Sequence, residues 1–448
     1  MSDKTLIQNA RLVNEGRISD SDLLISSGRI EKIAPHIAAD GDTDVLDAAG
    51  RYLLPGMIDD QVHFREPGLT HKGGIRSESR AAAAGGITSF MEMPNTLPPT
   101  VTLDALEDKY VVAAEKSLVN YAFYLGATND NLDVIRALQP GQAAGIKIFM
   151  GASTGNMLVD NEETLAGIFR DAPALIATHC ESTPLIDANL AAALEKYGPE
   201  IPVTEHPNIR SAEACYVSTV LAQELARRYS APLHVLHLST GREMELFEPG
   251  PMADKLITAE ICVHFLHFDS SHYASHGNRI KCNPAIKTPA DRAALLQALK
   301  DGRLDIIATD HAPHTAEEKA ATDYRKAPSG LPLVQDALLS VLELHHDGDL
   351  GLEQIVRLTA HNVADRFKVV DRGYLREGYW ADLVLVDTAT PTPATADRVL
   401  SQCGWTPFEG ETFRSSIART IVNGQTVFDG KAIVETGAAQ RLEIGRQR

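Results

Sequence analysis

The sequence has no apolar run long enough to cross a membrane, and residues 1–16 lack the basic start and apolar stretch of a signal peptide. It also lacks an excess of basic residues, because the formal net charge is −18. This charge argues against nucleic acid and anionic membranes as main partners. An anionic substrate stays compatible with it, because a few cations or metal ions reverse the field inside one cleft.

Cysteine is scarce, and nucleotide-binding motifs are absent. The five cysteines are odd in number and show no CxxC spacing, which predicts reduced thiols and a cytoplasmic protein. No GxGxxG or P-loop pattern opens a predicted helix, so the sequence gives no support for nucleotide binding. The 448 residues exceed one ordinary core, and we expect one large domain with a smaller one beside it.

The middle of the chain differs in pattern from its two ends. Both ends contain short strand-like segments separated by turn residues, whereas the middle alternates about eight apolar runs with helix-like segments. Such alternation is typical of parallel strands covered by helices. We predict an α/β fold: a (β/α)8 TIM barrel over residues 55–367, and a small β-sandwich domain built from residues 1–54 and 368–448. A doubly wound open sheet is the alternative.

Polar residues follow the ends of these apolar runs. In a parallel barrel the carboxyl ends of the strands meet at one rim, where active sites are built. Taken singly, a histidine at a strand end is more often a hydrogen-bonding residue than a metal ligand, and an aspartate there can cap the next helix. Their equivalent positions favour one shared site. The residues are Gln61, His63, Asn95, Lys147, His179, His237 and Asp310.

Lys147 lies inside the apolar segment "GIKIFMG". A lysine there is unfavourable unless it is paired or modified. Burial lowers the pKa of an amine, and a neutral amine can react with carbon dioxide to form a carbamate. A carbamate offers two oxygens that can bridge two metal ions. We therefore predict that Lys147 is carboxylated.

Several segments together resemble the amidohydrolase superfamily and, within it, the dihydroorotases. They include "HFREPG", "MPNT", "IKIFMG", "THCE", "HVLHLST" and "TDHAPH", and the resemblance runs from about Leu6 to Asp429. It implies a zinc-dependent hydrolase with one or two ions. The implied reaction is the reversible hydrolysis of dihydroorotate to N-carbamoyl-L-aspartate in pyrimidine biosynthesis. It also suggests a homodimer. Allantoinases and hydantoinases share the scaffold, but the arginine of "HFREPG" and the asparagine of "MPNT" favour dihydroorotase.

The resemblance also implies a set of metal ligands. His63 corresponds to a ligand of the first metal, and His179 and His237 correspond to ligands of the second. Lys147, as its carbamate, would bridge both metals. Asp310 would contact the first metal and act as general base. Amide hydrolysis needs a strong nucleophile near neutral pH, and a metal-activated water supplies one.

Substrate contacts are implied at six further positions. Arg65 and Asn95 would hold the substrate carboxylate, His314 would also contact the substrate, and Asn283 would contact the ring. The planar fork of an arginine suits a carboxylate. Two residues after the Lys147 strand resemble a loop that closes over the substrate. These are Ser153 and Thr154.

Two positions depart from the family pattern. Gln61 occupies the place of the first histidine of a His-x-His pair, and Lys287 stands where arginine is frequent. A glutamine oxygen is a weaker zinc ligand than imidazole, so the first metal would keep a weak ligand or lack one there. Three hypotheses follow: a dihydroorotase with an altered first metal site, a cyclic amidase for another ring, and a catalytically silent homologue.

Overall fold

A computed structural model describes residues 4–151 and 157–447. Its centre is a barrel of eight parallel strand positions, one of which is an interrupted strand made of β8 and β9. The ring closes where Val62 forms a parallel bridge with His311, and where the His63 amide donates to the His311 carbonyl at 2.7 Å. The barrel strands are β6 (Met57–Val62), β7 (Ile87–Glu92), β8 (Asn120–Phe123), β9 (Leu125–Gly126), β10 (Ile146–Phe149), β11 (Ile176–His179), β12 (Leu233–Val235), β13 (Ile257–Cys262) and β14 (Ile306–Ala308).

Helices follow most of the barrel strands. Several begin at a hydroxyl cap, as where Ser211 accepts from the Ala214 amide and Thr102 from the Ala105 amide. The predicted (β/α)8 barrel is therefore confirmed. The helices are α1 (Ile75–Ala84), α2 (Leu103–Lys116), α3 (Leu132–Ala137), α4 (Glu162–Asp171), α5 (Thr183–Tyr197), α6 (His206–Ile209), α7 (Ala212–Tyr229), α8 (Val263–His267), α9 (Tyr273–His276), α10 (Pro289–Lys300), α11 (Ala316–Lys319), α12 (Ala337–His346), α13 (Leu352–Val356) and α14 (Asn362–Phe367).

Strands from both termini form one further sheet, as the sequence predicts. Its order is β19-β18-β15-β5-β1-β2-β3, with β4 also paired to β1, and most of its pairs are antiparallel. Its strands are β1 (Lys4–Asn14), β2 (Arg17–Ser26), β3 (Arg29–Ala34), β4 (Thr43–Asp47), β5 (Tyr52–Pro55), β15 (Leu383–Asp387), β18 (Ser416–Val422) and β19 (Gln425–Phe428). A two-stranded ribbon joins β16 (Thr392–Pro393) to β17 (Thr412–Phe413).

The barrel strands are buried on both faces, which explains how they hold polar side chains in the interior. Every residue of β6 is buried, including Asp59, Asp60 and Gln61. Near the other end of the chain, Leu442 and Ile444 join a buried cluster that contains Ile58 of the same strand. Within the described part of the chain, no helix has the length and apolar character needed to span a bilayer.

Candidate active site and metal centre

A cavity of about 720 Å³ lies at the carboxyl ends of the barrel strands. It brings together side chains that are far apart in sequence, because successive strands end at the same rim. Ser153 and Thr154 lie outside the described residues. The other predicted site residues all line this cavity: Gln61, His63, Arg65, Asn95, Lys147, His179, His237, Asn283, Asp310 and His314.

Asp310 and His63 form the first half of the site. The His63 Nδ1 lies 2.7 Å from the Asn95 Oδ1, so Nδ1–H donates to Asn95 and Nε2 keeps its lone pair. That Nε2 lies 3.0 Å from the Asp310 Oδ1. Two acceptors at this distance repel unless a positive charge lies between them. Burial lowers the pKa of His63 and favours the neutral imidazole, which is the form that binds metal.

His179 and His237 form the second half of the site. The His179 Nδ1 lies 3.0 Å from the His237 Nε2, and the His179 Nε2 lies 3.1 Å from the Glu181 Oε2. Glu181 thus lies beside the imidazole as a charged neighbour, although the His179 Nε2 makes no hydrogen bond among the described residues. Burial lowers the pKa of both histidines, in His237 well below its ordinary value. The His237 Nδ1 is buried and has no hydrogen-bond partner among the described residues.

Lys147 lies on β10, which comes after the strand that leads to His63 and before the strand that ends at His179. Its side chain is almost fully buried. Among the described residues its amine has no hydrogen bond or ion pair, and it lies over the Phe149 ring, 4.6 Å from the centroid. Burial lowers the pKa of Lys147 to about 8. A sizeable neutral fraction therefore exists near neutral pH, and the amine is chemically available for carboxylation.

Arg65 stands out electrostatically at the wall of the cavity. Its side chain is buried, with only 7% of the residue exposed, and no described carboxylate forms an ion pair with it. Its Nε donates to the Pro313 carbonyl at 3.3 Å, and a terminal nitrogen lies 3.1 Å from the His314 Nε2. Burial lowers its pKa to about 10, which keeps it cationic at neutral pH. An unpaired buried cation beside a cavity is a binding site for an anion.

His314 completes this wall together with a lysine that the sequence analysis did not single out. The Lys72 Nζ lies 3.1 Å from the His314 Nδ1 and 3.1 Å from the Glu318 Oε1. The His314 Nε2 lies 3.1 Å from the Ser329 carbonyl. Burial, with Arg65 and Lys72 nearby, lowers the pKa of His314 and keeps its imidazole neutral. The neutral ring has one N–H, so its Nε2 either donates to the Ser329 carbonyl or accepts from Arg65, and it cannot do both.

Several cavity residues escaped the sequence analysis because they do not lie at strand ends. Lys72 is in the loop after β6, Arg210 is just after α6, and Tyr324 and residues 327–330 are in the long segment after β14. His206, a further histidine outside the predicted set, both lines the cavity and contacts the Tyr324 hydroxyl at 2.6 Å. Glu181 differs from these residues, because it lies in the segment "THCE", which contributes to the family resemblance.

Fold and site together define a metal-dependent barrel hydrolase. The chain belongs to the amidohydrolase family, whose model matches residues 52–427. It is 35% identical over 426 residues to a dihydroorotase of Halobacterium salinarum, covering 94% of this chain and 95% of that one. It is also 32% identical over 453 residues to an allantoinase of Deinococcus radiodurans, covering 99% of each chain.

A solved structure is similar over the whole chain. The L-hydantoinase of Arthrobacter aurescens superposes with a TM-score of 0.93 at 27% identity, covering 99% of this chain and all of that one. The names of these three relatives specify three different activities. The chain is thus a hydrolase that acts on cyclic amides.

Proposed function

We propose that the protein is a dihydroorotase, which reversibly hydrolyses the cyclic amide of (S)-dihydroorotate to N-carbamoyl-L-aspartate. The observation that carries this proposal is Arg65, a buried guanidinium without a carboxylate partner among the described residues. Dihydroorotate carries a carboxylate beside its cyclic amide, whereas hydantoin, dihydrouracil and allantoin carry none. A site for a neutral ring would have no use for an unpaired buried cation, which is unfavourable in the free protein.

In this proposal the cavity wall contacts the substrate at its carboxylate and at its ring. Arg65 and Asn95 hold the carboxylate, and His314 contacts it from the same side. Asn283 faces the ring: its Oδ1 is buried and has no hydrogen-bond partner among the described residues. A buried acceptor without a hydrogen bond is energetically unfavourable, and a ring N–H of the substrate would donate to it. Ser153 and Thr154 remain predicted lid residues.

The donor set of the cavity fits zinc, because it combines neutral imidazoles with carboxylate oxygens. His63 and Asp310 would hold the first ion, His179 and His237 the second, and carboxylated Lys147 would contribute to both. Gln61 would add a weak oxygen ligand only if its amide turned away from Asp310. Bound zinc would supply an activated water and polarise the amide carbonyl. Lys147 is suited to this role by its lowered pKa and its lack of a counter-ion among the described residues.

Asp310 carries the proton through the reaction in this proposal. Its Oδ1 already accepts from the Gln61 Nε2 at 3.1 Å, which holds the carboxylate toward the cavity. Asp310 takes a proton from the water as the water oxygen bonds to the amide carbonyl carbon, and delivers that proton to the ring nitrogen as the C–N bond breaks. In the reverse direction the same carboxylate removes a proton from the carbamoyl nitrogen as the ring closes.

A substrate panel tests the proposal against its rivals. Zinc-loaded protein should hydrolyse dihydroorotate, and form it from carbamoyl aspartate, with a kcat/KM well above that for dihydrouracil, hydantoin or allantoin. A preference for a neutral ring would replace dihydroorotase by another cyclic amidase. Bound zinc without turnover of any ring would favour a catalytically silent homologue.

The proposal extends to location and assembly. A cytoplasmic enzyme is consistent with five cysteines that are all buried and free. We also propose a homodimer, which sedimentation velocity would test by giving twice the 48.5 kDa mass of the chain.

A further inference from the structure

A second group of ligand-type side chains lies in the barrel interior, apart from the cavity residues. It comprises Asp60 of β6, His234 of β12 and Glu260 of β13, and none of the three residues has any exposed surface. The His234 Nε2 lies 3.2 Å from the Glu260 Oε2 and 3.4 Å from the Asp60 Oδ2. We call these three residues the interior triad. None of them lines the catalytic cavity.

Asp60 shows that the triad lacks a component. Both of its carboxylate oxygens are buried, and neither has a hydrogen-bond partner among the described residues. The His234 Nε2 lies 3.4 Å from the Asp60 Oδ2, and the Glu260 Oε2 approaches the same nitrogen more closely, at 3.2 Å. Two buried carboxylates that converge on one imidazole nitrogen need either a cation or a proton beside them, because an uncompensated buried charge costs several kcal/mol.

We propose that Asp60, His234 and Glu260 bind a buried divalent cation, a site additional to the catalytic metal centre. Zinc takes imidazole nitrogen and carboxylate oxygen at about 2.0–2.2 Å in tetrahedral geometry, which separates neighbouring ligand atoms by about 3.3–3.5 Å. The two separations centred on the His234 Nε2, 3.2 and 3.4 Å, agree with this spacing. Two carboxylates and a neutral imidazole also balance the charge of a divalent ion.

The surroundings orient the triad as a metal site requires. The His234 Nδ1 lies 2.8 Å from the Thr258 Oγ1, which donates to the Leu233 carbonyl at 3.4 Å and can therefore accept from the Nδ1–H. With that tautomer a cation between the carboxylates would take the Nε2 lone pair. The second oxygen of Glu260 accepts from the backbone amide of His237 at 3.0 Å. His237 has a backbone φ of 43°, in the left-handed region. The cation would therefore fix the carboxylate that supports a histidine of the catalytic cavity.

The rival occupant is a proton, either on His234 or on Glu260, whose pKa is raised to about 8 by burial and by Asp60. Burial opposes the charged imidazole, but Asp60 and Glu260 outweigh it and raise the pKa of His234 to about 9. The geometry of the triad is therefore compatible with a bound cation and with a bound proton, and the two differ in electron density. A proton scatters no X-rays anomalously, whereas zinc gives a peak at its absorption edge.

The deciding experiment is anomalous diffraction at the zinc edge on the full-length, zinc-loaded protein, together with metal analysis in solution. We expect a peak about 2.0–2.2 Å from the Asp60 Oδ2, His234 Nε2 and Glu260 Oε2. The peak should persist in His179→Ala, which removes only a ligand of the catalytic cavity. Zinc at the catalytic histidines without a peak at the triad overturns the proposal.

Metal stoichiometry gives an independent measurement. Asp60→Asn should bind one zinc equivalent per chain less than the wild type. The matched control is Glu243→Gln, which alters an equally buried carboxylate that is already satisfied by Thr219 and Thr240, at 2.8 Å each. The control should keep the wild-type stoichiometry. Equal zinc content in folded Asp60→Asn and wild type refutes the site, and the wild-type diffraction result decides the matter if Asp60→Asn fails to fold.

Discussion

The dihydroorotase proposal makes its sharpest prediction at Arg65. The change is Arg65→Gln, which removes the charge that would hold the substrate carboxylate. Truncating one partner of a buried, hydrogen-bonded charge pair costs about 2–5 kcal/mol. Each 1.4 kcal/mol is a factor of ten, so kcat/KM for dihydroorotate should fall roughly 30-fold to 4,000-fold. Arg65→Lys should lie between, because it keeps the charge and loses the planar fork.

The assay compares dihydroorotate with dihydrouracil, which has the same ring amide and no carboxylate. With dihydrouracil the Arg65→Gln variant should lose far less, since no carboxylate is left unpaired. Arg303→Gln is the matched control: its guanidinium donates to the Phe247 carbonyl at 2.5 Å, and it does not line the cavity. Equal losses for both rings in Arg65→Gln would refute the reasoning, because Arg65 would then support the site rather than recognise an anion.

Three further predictions concern the metal centre and its support. Gln61→His should raise affinity for the first metal by about tenfold or more, measured by chelator competition, and unchanged affinity would place Gln61 outside the ligand shell. Because the pKa of Lys147 is about 8 in the metal-free protein, its neutral fraction grows with pH. At a fixed concentration of dissolved carbon dioxide, zinc reconstitution should be faster at pH 9 than at pH 7, and no effect of carbon dioxide would contradict carboxylation. Burial raises the pKa of Glu181, but Arg210 and His179 outweigh it and hold it at about 2, below the ordinary 4.5. This contributes about 3 kcal/mol above pH 4.5 that disappears as pH falls toward 2. Arg210→Gln should therefore lower the free energy of unfolding measured with urea at pH 7, and should reduce the difference in that free energy between pH 7 and pH 3. An unchanged difference would show that Arg210 does not determine the pKa of Glu181.

The sequence predicts the barrel well because its strands are buried on both faces and alternate with helices. It also predicts which residues meet, since strand ends converge wherever the barrel closes. It could not predict the cavity wall formed by Lys72, Arg210 and residues 327–330, because loops follow no periodic pattern. The roles given to the site residues and the division into 1–54 plus 368–448 and 55–367 stay predictions.

The interior triad escaped the sequence for a different reason. Strand alternation correctly separates Asp60 from Gln61, and the structure places Gln61 at the cavity and Asp60 with His234 and Glu260. Alternation says nothing, however, about which residues of distant strands share a layer of the barrel. His234 and Glu260 are 174 or more positions from Asp60 in sequence and meet it only through the strand register. Such contacts need the closed barrel to become visible.

Gln61 itself takes on a more specific meaning in the structure. The atom that faces Asp310 is the amide nitrogen Nε2, a hydrogen-bond donor, while the Oε1 lies 3.9 Å from the Cys262 Sγ. A donor cannot ligate a metal, so in this orientation Gln61 positions the Asp310 carboxylate beside His63. Ligation would require the amide to turn and would break its hydrogen bond to Asp310. The two roles are therefore mutually exclusive: either the first metal has Gln61 as a weak ligand, or Asp310 has it as a fixed donor and the ion is held by the remaining residues alone.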